Sequence, residues 1–457
     1  METVLSYLKN NFNRFVDEFC EYLRFPSVSA QKEHKEDTAK CADWIANHCK
    51  NIGLDARVYK TNNHPIVIAN TPFKDNKPRI IIYGHYDVQP PEPLELWASP
   101  PFSPRIADGK VYARGASDNK GQHLAHIKAV EAYLKSNVEL PCNITFLIEG
   151  EEEVGSAELL KFLKENKKML KCDVVMASDN GIPGLDYPGL TYALRGVAAM
   201  EIKVYGPSRD LHSGIYGGAV DNPSMVLCQI LAQLRDKNGK INIPGFYDDV
   251  RKLTSVERKS LARIPFNERE FKRFLEVPKL FGERGYSPIE QRTARPTIEI
   301  NGITSGYQGE GSKTIIPSVA SAKLTFRLVP DQDKDKILDL VFKHIKKICP
   351  PTVRIELIKG HSGDPYILNP DSPLCKAALT ALKKAFNREP VLLREGGSIP
   401  IITDIKRILG VDTILAGLAL PDDNAHSPNE KFDLRCFEIG MKMSAILLQE
   451  LGCALKK

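Results

Sequence analysis

Residues 79–88 read RIIIYGHYDV, and this stretch decides the fold. Ile80, Ile81, Ile82 and Tyr83 are consecutive β-formers with no polar alternation, so the strand they make must be covered on both faces, as a central strand of a helix-flanked sheet is. His85 and Asp87 follow at the carboxyl end of that strand. In an open α/β sheet, ligands bind at that end.

Working outward, ARVYK (56–60) and HPIVIAN (64–70) are short and β-rich. Before them lie two helical patterns, one from the N-terminus until Pro26 stops it, the other in DTAKCADWIANHCKNIG (37–53) with Gly53 as its C-cap. After the central strand come a helix in KGQHLAHIKAVEAYLKSN (120–137), a strand in NITFLIEGEEE (143–153), a helix from Ser156 to about Lys168, and a strand in CDVVMASDN (172–180). Alternation of this kind predicts a mostly parallel sheet with helices on its faces.

After Leu194 the texture changes. A long alternating strand, AAMEIKVYG (198–206), precedes a helix in NPSMVLCQILAQLRD (222–236). Strands then return in TIEINGI (297–303), SVASAKLTFRLVP (318–330) and TVRIELIKG (352–360), with a helix in KDKILDLVFKHIKKIC (334–349). The expectation is a separate α+β unit over 195–362, inserted between 1–194 and 363–457, which together form one α/β domain. The polar stretch 245–295 shows no strand pattern.

The 457 residues, 42% hydrophobic and 26% charged, fit a soluble globular protein of two compact units. Sixty-three basic and 57 acidic side chains are interleaved along the chain, which argues against a nucleic-acid face. The nearest basic run, KFLKENKKMLK (161–171), reads as the solvated face of a helix. Ten cysteines without a CxxC pair suggest buried free thiols rather than a disulfide framework or a thiolate metal site. The N-terminus lacks a continuous apolar region and no stretch approaches a membrane span, so a cytoplasmic protein without membrane contact is expected.

Acids and histidines gather at the strand ends. His85 and Asp87 end one strand, Glu151, Glu152 and Glu153 another, and Asp179 a third, while the Gly-rich turn ARGASDNKGQ (113–122) presents Asp118 before a helix. Each has a plainer reading alone: a hydrogen-bonded core histidine, an Asx-turn, a solvated glutamate run. Together, so many carboxylates at one sheet edge repel one another unless cations neutralise them, so the pattern asks for metal.

At this point a resemblance becomes specific. GHYDVQP, ARGASDNKGQ, IEGEEEVGS, SDN, RDLHSG, REGGSIP and NAHSPNEKF, in this order across nearly the whole chain, resemble the carnosinase and cytosolic nonspecific dipeptidase branch of the co-catalytic metallopeptidases, which also include aminoacylase and glutamate carboxypeptidase. The resemblance implies a catalytic α/β domain interrupted by a lid that also dimerises. It implies that His85 and Asp179 hold one metal, Glu153 and His426 the other, and that Asp118 bridges both from a cis peptide with Asn119. Two histidines and three carboxylates without cysteine suit zinc, manganese or cobalt better than copper or calcium, with zinc or manganese expected, and five ligands serve two divalent ions if one carboxylate bridges.

Asp87 would orient His85 from the ring's far nitrogen. The register of the glutamate run is likewise taken from the family, which makes Glu152 the general base for a metal-bridging water and Glu153 the ligand. Arg327 would bind the substrate carboxylate, with Ser398 and Thr314 as further polar contacts. His212 would reach the active site of the other subunit of a homodimer to stabilise the oxyanion.

The activity so implied is metal-dependent hydrolysis of dipeptides or very short peptides. The alternative that keeps the same machinery is an N-acyl amino acid deacylase. GHYDVQP, where the deacylase branch more often has the form GHxDVVP, favours the dipeptidase branch, as does REGGSIP. A catalytically silent dimeric binding protein is a further alternative.

Overall fold

The computed structural model describes residues 1–397 and 399–456. The chain divides into two compact units, one built from Met1–Tyr192, Leu368–Leu393 and Ile401–Lys457, the other from Ala193–Ile367 and Arg394–Pro400.

In the first unit the strand Arg79–His85 lies between Asn143–Glu149 and Val174–Ala177, and Thr413–Leu415 pairs beyond the latter; these pairings are all parallel. Ile80, Ile81, Ile82 and Tyr83 are fully buried, as their unbroken apolar run demands. The sheet is mixed at its margins: Asp55–Tyr59 and Ile66–Asn70 add antiparallel on one side, and Gly189–Leu194 runs antiparallel to Thr413–Leu415 on the other.

The helix Gly121–Lys135 is buried almost all round and approaches the strand closely. A Cβ at Gly84 would lie 2.6 Å from His123 Cβ, so only glycine lets that helix sit against the carboxyl end of the central strand. The C-terminal helix Leu434–Ala454 packs on it and on Pro373–Phe386.

Several boundaries differ from the sequence reading. The opening helical pattern is two helices, Glu2–Asn10 and Phe12–Leu23, and the helix after the glutamate run ends at Glu165. Gly53 does cap its helix, with φ 110° and its N–H on Cys49 and Lys50 carbonyls. The cysteines are all free, but only five are buried, and Cys228 and Cys453 are exposed.

The second unit is an antiparallel sheet in the order Thr297–Ser305, Val319–Leu328, Gly196–Tyr205, Arg354–Gly363. Ala198, Met200, Ile202 and Val204 alternate inward and meet Leu227 and Ile230 of helix Pro223–Gln233 and Leu338 and Val341 of helix Lys334–Ile348. The stretch 245–295 contains three short helices, Ser255–Ala262, Glu268–Phe274 and Pro288–Thr293. The first and last begin with complete capping boxes, Thr254 with Glu257 and Ser287 with Glu290. Residues 394–397 belong with this unit because Arg394 forms a buried ion pair with Glu257 at 2.7 Å and Gly396 accepts from Arg195 Nε at 2.9 Å.

Helices this short depend on their caps more than on propensity. Thr254→Ala and Ser287→Ala should each lower stability by about 1 kcal/mol, read as a fall in the midpoint of chemical unfolding of the whole protein.

Candidate metal centre

The first unit brings one histidine or carboxylate from each of five chain segments to a single place. His85 Nε2 lies 3.2 Å from Asp118 Oδ1 and 3.4 Å from Asp179 Oδ1, and His426 Nε2 lies 2.9 Å from Asp118 Oδ2 and 3.3 Å from Glu153 Oε1. The two oxygens of Asp118 thus face different groups, His85 with Asp179 and His426 with Glu153. Donors around a tetrahedral ion with bonds of about 2.0–2.1 Å stand about 3.3 Å apart, so both groups have the spacing that such an ion requires.

Two further observations test the fit. His85 Nε2 and Glu153 Oε1 are buried without a hydrogen-bond partner among the described residues, and both point into the cluster. Burial works against a charge on His85, yet Asp179, Asp118 and Asp87 outweigh it and hold the imidazole well above its ordinary value. At His426 the contacts with Asp118 and then Glu153 push the imidazole up to about 10. Glu152, half-buried beside the cluster, is raised well above the carboxylate range by burial first, with His85 opposing and Asp179, Glu153 and Asp118 adding to it. The site attracts positive charge from every direction, and its oxygen and imidazole donors fit divalent ions.

A third cluster, Glu18, His48 and Glu131, has similar donors but a different solution. The fully buried Lys128 Nζ lies 2.6 Å from His48 Nε2 and 3.0 Å from Glu131 Oε2, and also contacts Glu18. Its ammonium supplies the cation there. No lysine or arginine makes an ion pair with Asp118, Asp179, Glu152 or Glu153 among the described residues.

Asp87 does more than orient a ring. The nearest partner of His85 Nδ1 is the Asp87 carbonyl at 3.1 Å, with the carboxylate at 3.4 Å. The carboxylate itself accepts Ser29 Oγ at 2.7 Å and the backbone N–H groups of Glu152 and Glu153 at 3.2 and 3.1 Å. One buried side chain therefore ties the central strand to the glutamate turn. Asn119 Nδ2 donates to Asp179 Oδ1 at 2.9 Å, Gln89 Nε2 to Glu153 Oε2 at 2.8 Å, and the Asp118–Asn119 peptide is cis.

The sequence reading missed Glu430. Its buried carboxylate accepts the N–H groups of Gly115, Ser117 and Asp118 at 2.8, 2.9 and 3.0 Å, together with Arg114 Nη1 at 2.8 Å. It thereby fixes the turn that aims Asp118. Its signal was present in NAHSPNEKF (424–432), four residues after His426.

Three other predicted residues, His212, Thr314 and Arg327, fall in the second unit. His212 ends a two-residue strand paired with Ile315–Ile316, and Thr314 O accepts the next N–H, Ser213, so His212 and Thr314 are neighbours on one exposed ribbon. Gly214 N–H donates to His212 Nδ1 at 2.9 Å, which assigns the neutral ring's proton to Nε2. Arg327 is half-buried on Val319–Leu328, opposite Thr297. Ser398 lies outside the described residues.

Residues 81–450 match the profile of Peptidase family M20/M25/M40, and the chain belongs to that family. It is 33% identical to the Cys-Gly metallodipeptidase DUG1 of Candida albicans over 96% of this chain and 95% of that one. The Beta-Ala-His dipeptidase of Homo sapiens is 29% identical over 99% of this chain and 93% of its own. Among solved structures, the M20 family metallo-carboxypeptidase Sso-CP2 from Sulfolobus solfataricus superposes with a TM-score of 0.82 at 33% identity, covering 96% of this chain and 99% of that one.

Replacing Glu430 by glutamine exchanges an acceptor oxygen for a donor where three N–H groups converge. Glu430→Gln should weaken divalent-metal binding about 10–100-fold, as loss of a ligand-orienting group does, with far-UV circular dichroism unchanged; titration with Zn or Mn checks it.

Proposed function

We propose that the chain is a metal-dependent dipeptidase working through two divalent ions held by His85 and Asp179, by Glu153 and His426, and by Asp118 between them. The observation that carries this reading is the division of the Asp118 oxygens between two donor groups. A pair of ions, zinc or manganese, supplies an acidified water and polarises the scissile carbonyl when bound.

The protein's own side chains do the rest. Glu152 takes the proton of the attacking water and returns it to the leaving amine; its place beside the donors and its raised carboxyl suit a group that must both accept and release a proton. Arg327 offers a forked donor set to the C-terminal carboxylate. His212, with its proton on Nε2, donates to the oxyanion as charge develops.

A homodimer in which His212 serves the other subunit is supported by exposed apolar residues of the second unit. Thr297–Ser305 is an edge strand carrying Ile300 and Ile303, 46% and 54% exposed, and Ile215 and Met225 are exposed at 71% and 59%. An unpaired edge with this much apolar surface suits burial against a second copy. With no helix among the described residues long and apolar enough to cross a membrane, a cytoplasmic place remains part of the proposal.

The experiment is a substrate panel of Cys-Gly, Ala-Gly, carnosine and N-acetyl amino acids, run on chelated protein reloaded with single ions. Dipeptides should be cleaved on restoring Zn or Mn; turnover confined to the acylated substrates would make the chain a deacylase instead. In a second test, Glu152→Ala should keep its metal and lose about 10²–10⁴-fold in kcat. His212→Ala should keep metal and dimer but lose turnover, and subunit exchange between these two inactive proteins should restore part of the activity. Absence of rescue would place His212 in its own chain's chemistry or outside it.

A further inference from the structure

The second unit contains a cavity of about 530 Å³ around Arg327. Six cationic side chains line it, Arg195, Arg235, Lys279, Arg292, Arg295 and Arg327, against two carboxylates, Glu283 and Glu299. Glu283 is committed to Arg295 through two bonds of 2.7 Å. Of the lining carboxylates that leaves Glu299 to face the other five cations, with Glu395 acting on Arg195 from outside the lining.

We propose that this cavity is a subsite for a second carboxylate, so that favoured dipeptides end in an acidic residue. The inference rests on the reading of Arg327 as the anchor of the substrate's C-terminal carboxylate.

Three features support it. Arg195 is fixed in place by backbone, its Nε on the Gly396 carbonyl at 2.9 Å and its Nη1 near that of Arg295. Burial, with Arg327 and Arg292 beside it and Glu395 and Glu299 opposing, brings this guanidinium down to about 10, so it stays charged at neutral pH while crowded by other cations. An anion would relieve that repulsion. Second, no side chain can occupy the space above Gly396, where a Cβ would meet the Arg292 carbonyl at 2.8 Å and Arg195 Nη2 at 3.2 Å. The loop and the two arginines therefore hold one another in register. Third, Leu275, Val277, Leu280 and Phe281 line the same cavity, and Arg292 lies over the Phe271 ring at 5.2 Å. Apolar walls between guanidinium groups suit a ligand whose two carboxylates are joined by a short hydrocarbon chain, as in an aspartyl or glutamyl residue.

The test compares Ala-Glu with its neutral isostere Ala-Gln on the metal-loaded enzyme. Wild type should favour Ala-Glu about tenfold in kcat/KM, the effect of one well-made charged contact, mainly through KM, and the preference should narrow at high salt. In Arg292→Gln, an exposed position that should leave the fold intact, the ratio should fall to near one. A wild-type ratio at or below one overturns the proposal, as does a ratio that survives in Arg292→Gln. If neither dipeptide is cleaved, the dipeptidase reading fails by itself, and calorimetry with glutarate against butyrate then decides the subsite: tighter glutarate binding lost in Arg292→Gln supports it, and equal affinity overturns it.

Discussion

Mutual repulsion among Asp118, Asp179, Glu152 and Glu153 governs the design of the first unit. Carboxylates gathered at one sheet edge must either take up protons or share positive ions. Much of the surrounding structure serves to hold them together regardless. Asp87 binds the backbone of the glutamate turn, and Glu430 binds that of the Asp118 turn. Both supports are themselves buried carboxylates accepting N–H groups. Negative charge is thus held in place by more negative charge, with oriented peptide dipoles between them.

The central strand and the residues at its end were legible because burial on both faces leaves a plain mark, an apolar run closed by His85 and Asp87. Order along the chain then linked motifs that meet in space. Other features left fainter marks. Glu430 was hidden inside a motif noticed for His426, since nothing local to a glutamate says that its partners are backbone groups some 310 positions earlier. The helices of 245–295 had readable signatures in Thr254-x-x-Glu257 and Ser287-x-x-Glu290, yet the apolar rhythm between their caps is too short to be recognised. Residues 394–397 read as part of the returning α/β texture, whereas Arg394 and Gly396 are bound by Glu257 and Arg195. Tertiary pairing decided their place, and local pattern carries no trace of it.

In the second unit charge is arranged with the opposite sign. Arginines crowd one cavity, with Arg195 placed by backbone carbonyls, Arg292 by the Phe271 ring and Arg295 by Glu283. Acids and histidines gather in the first unit and guanidinium groups in the second. The two sites also differ in how their geometry is secured: buried carboxylates gripping peptide N–H groups in the first, a loop closed on Arg195 in the second.

The helices behind the sheet neutralise an acidic cluster differently, through Lys128. Its ammonium joins Phe12–Leu23, which carries Glu18, to Lys35–Ile52, which carries His48, and to Gly121–Lys135, its own helix and that of Glu131. A cation tethered by its own side chain cannot be removed by a chelator or displaced by a competing ion. The three helices therefore carry a counter-charge that does not depend on the supply of divalent ions.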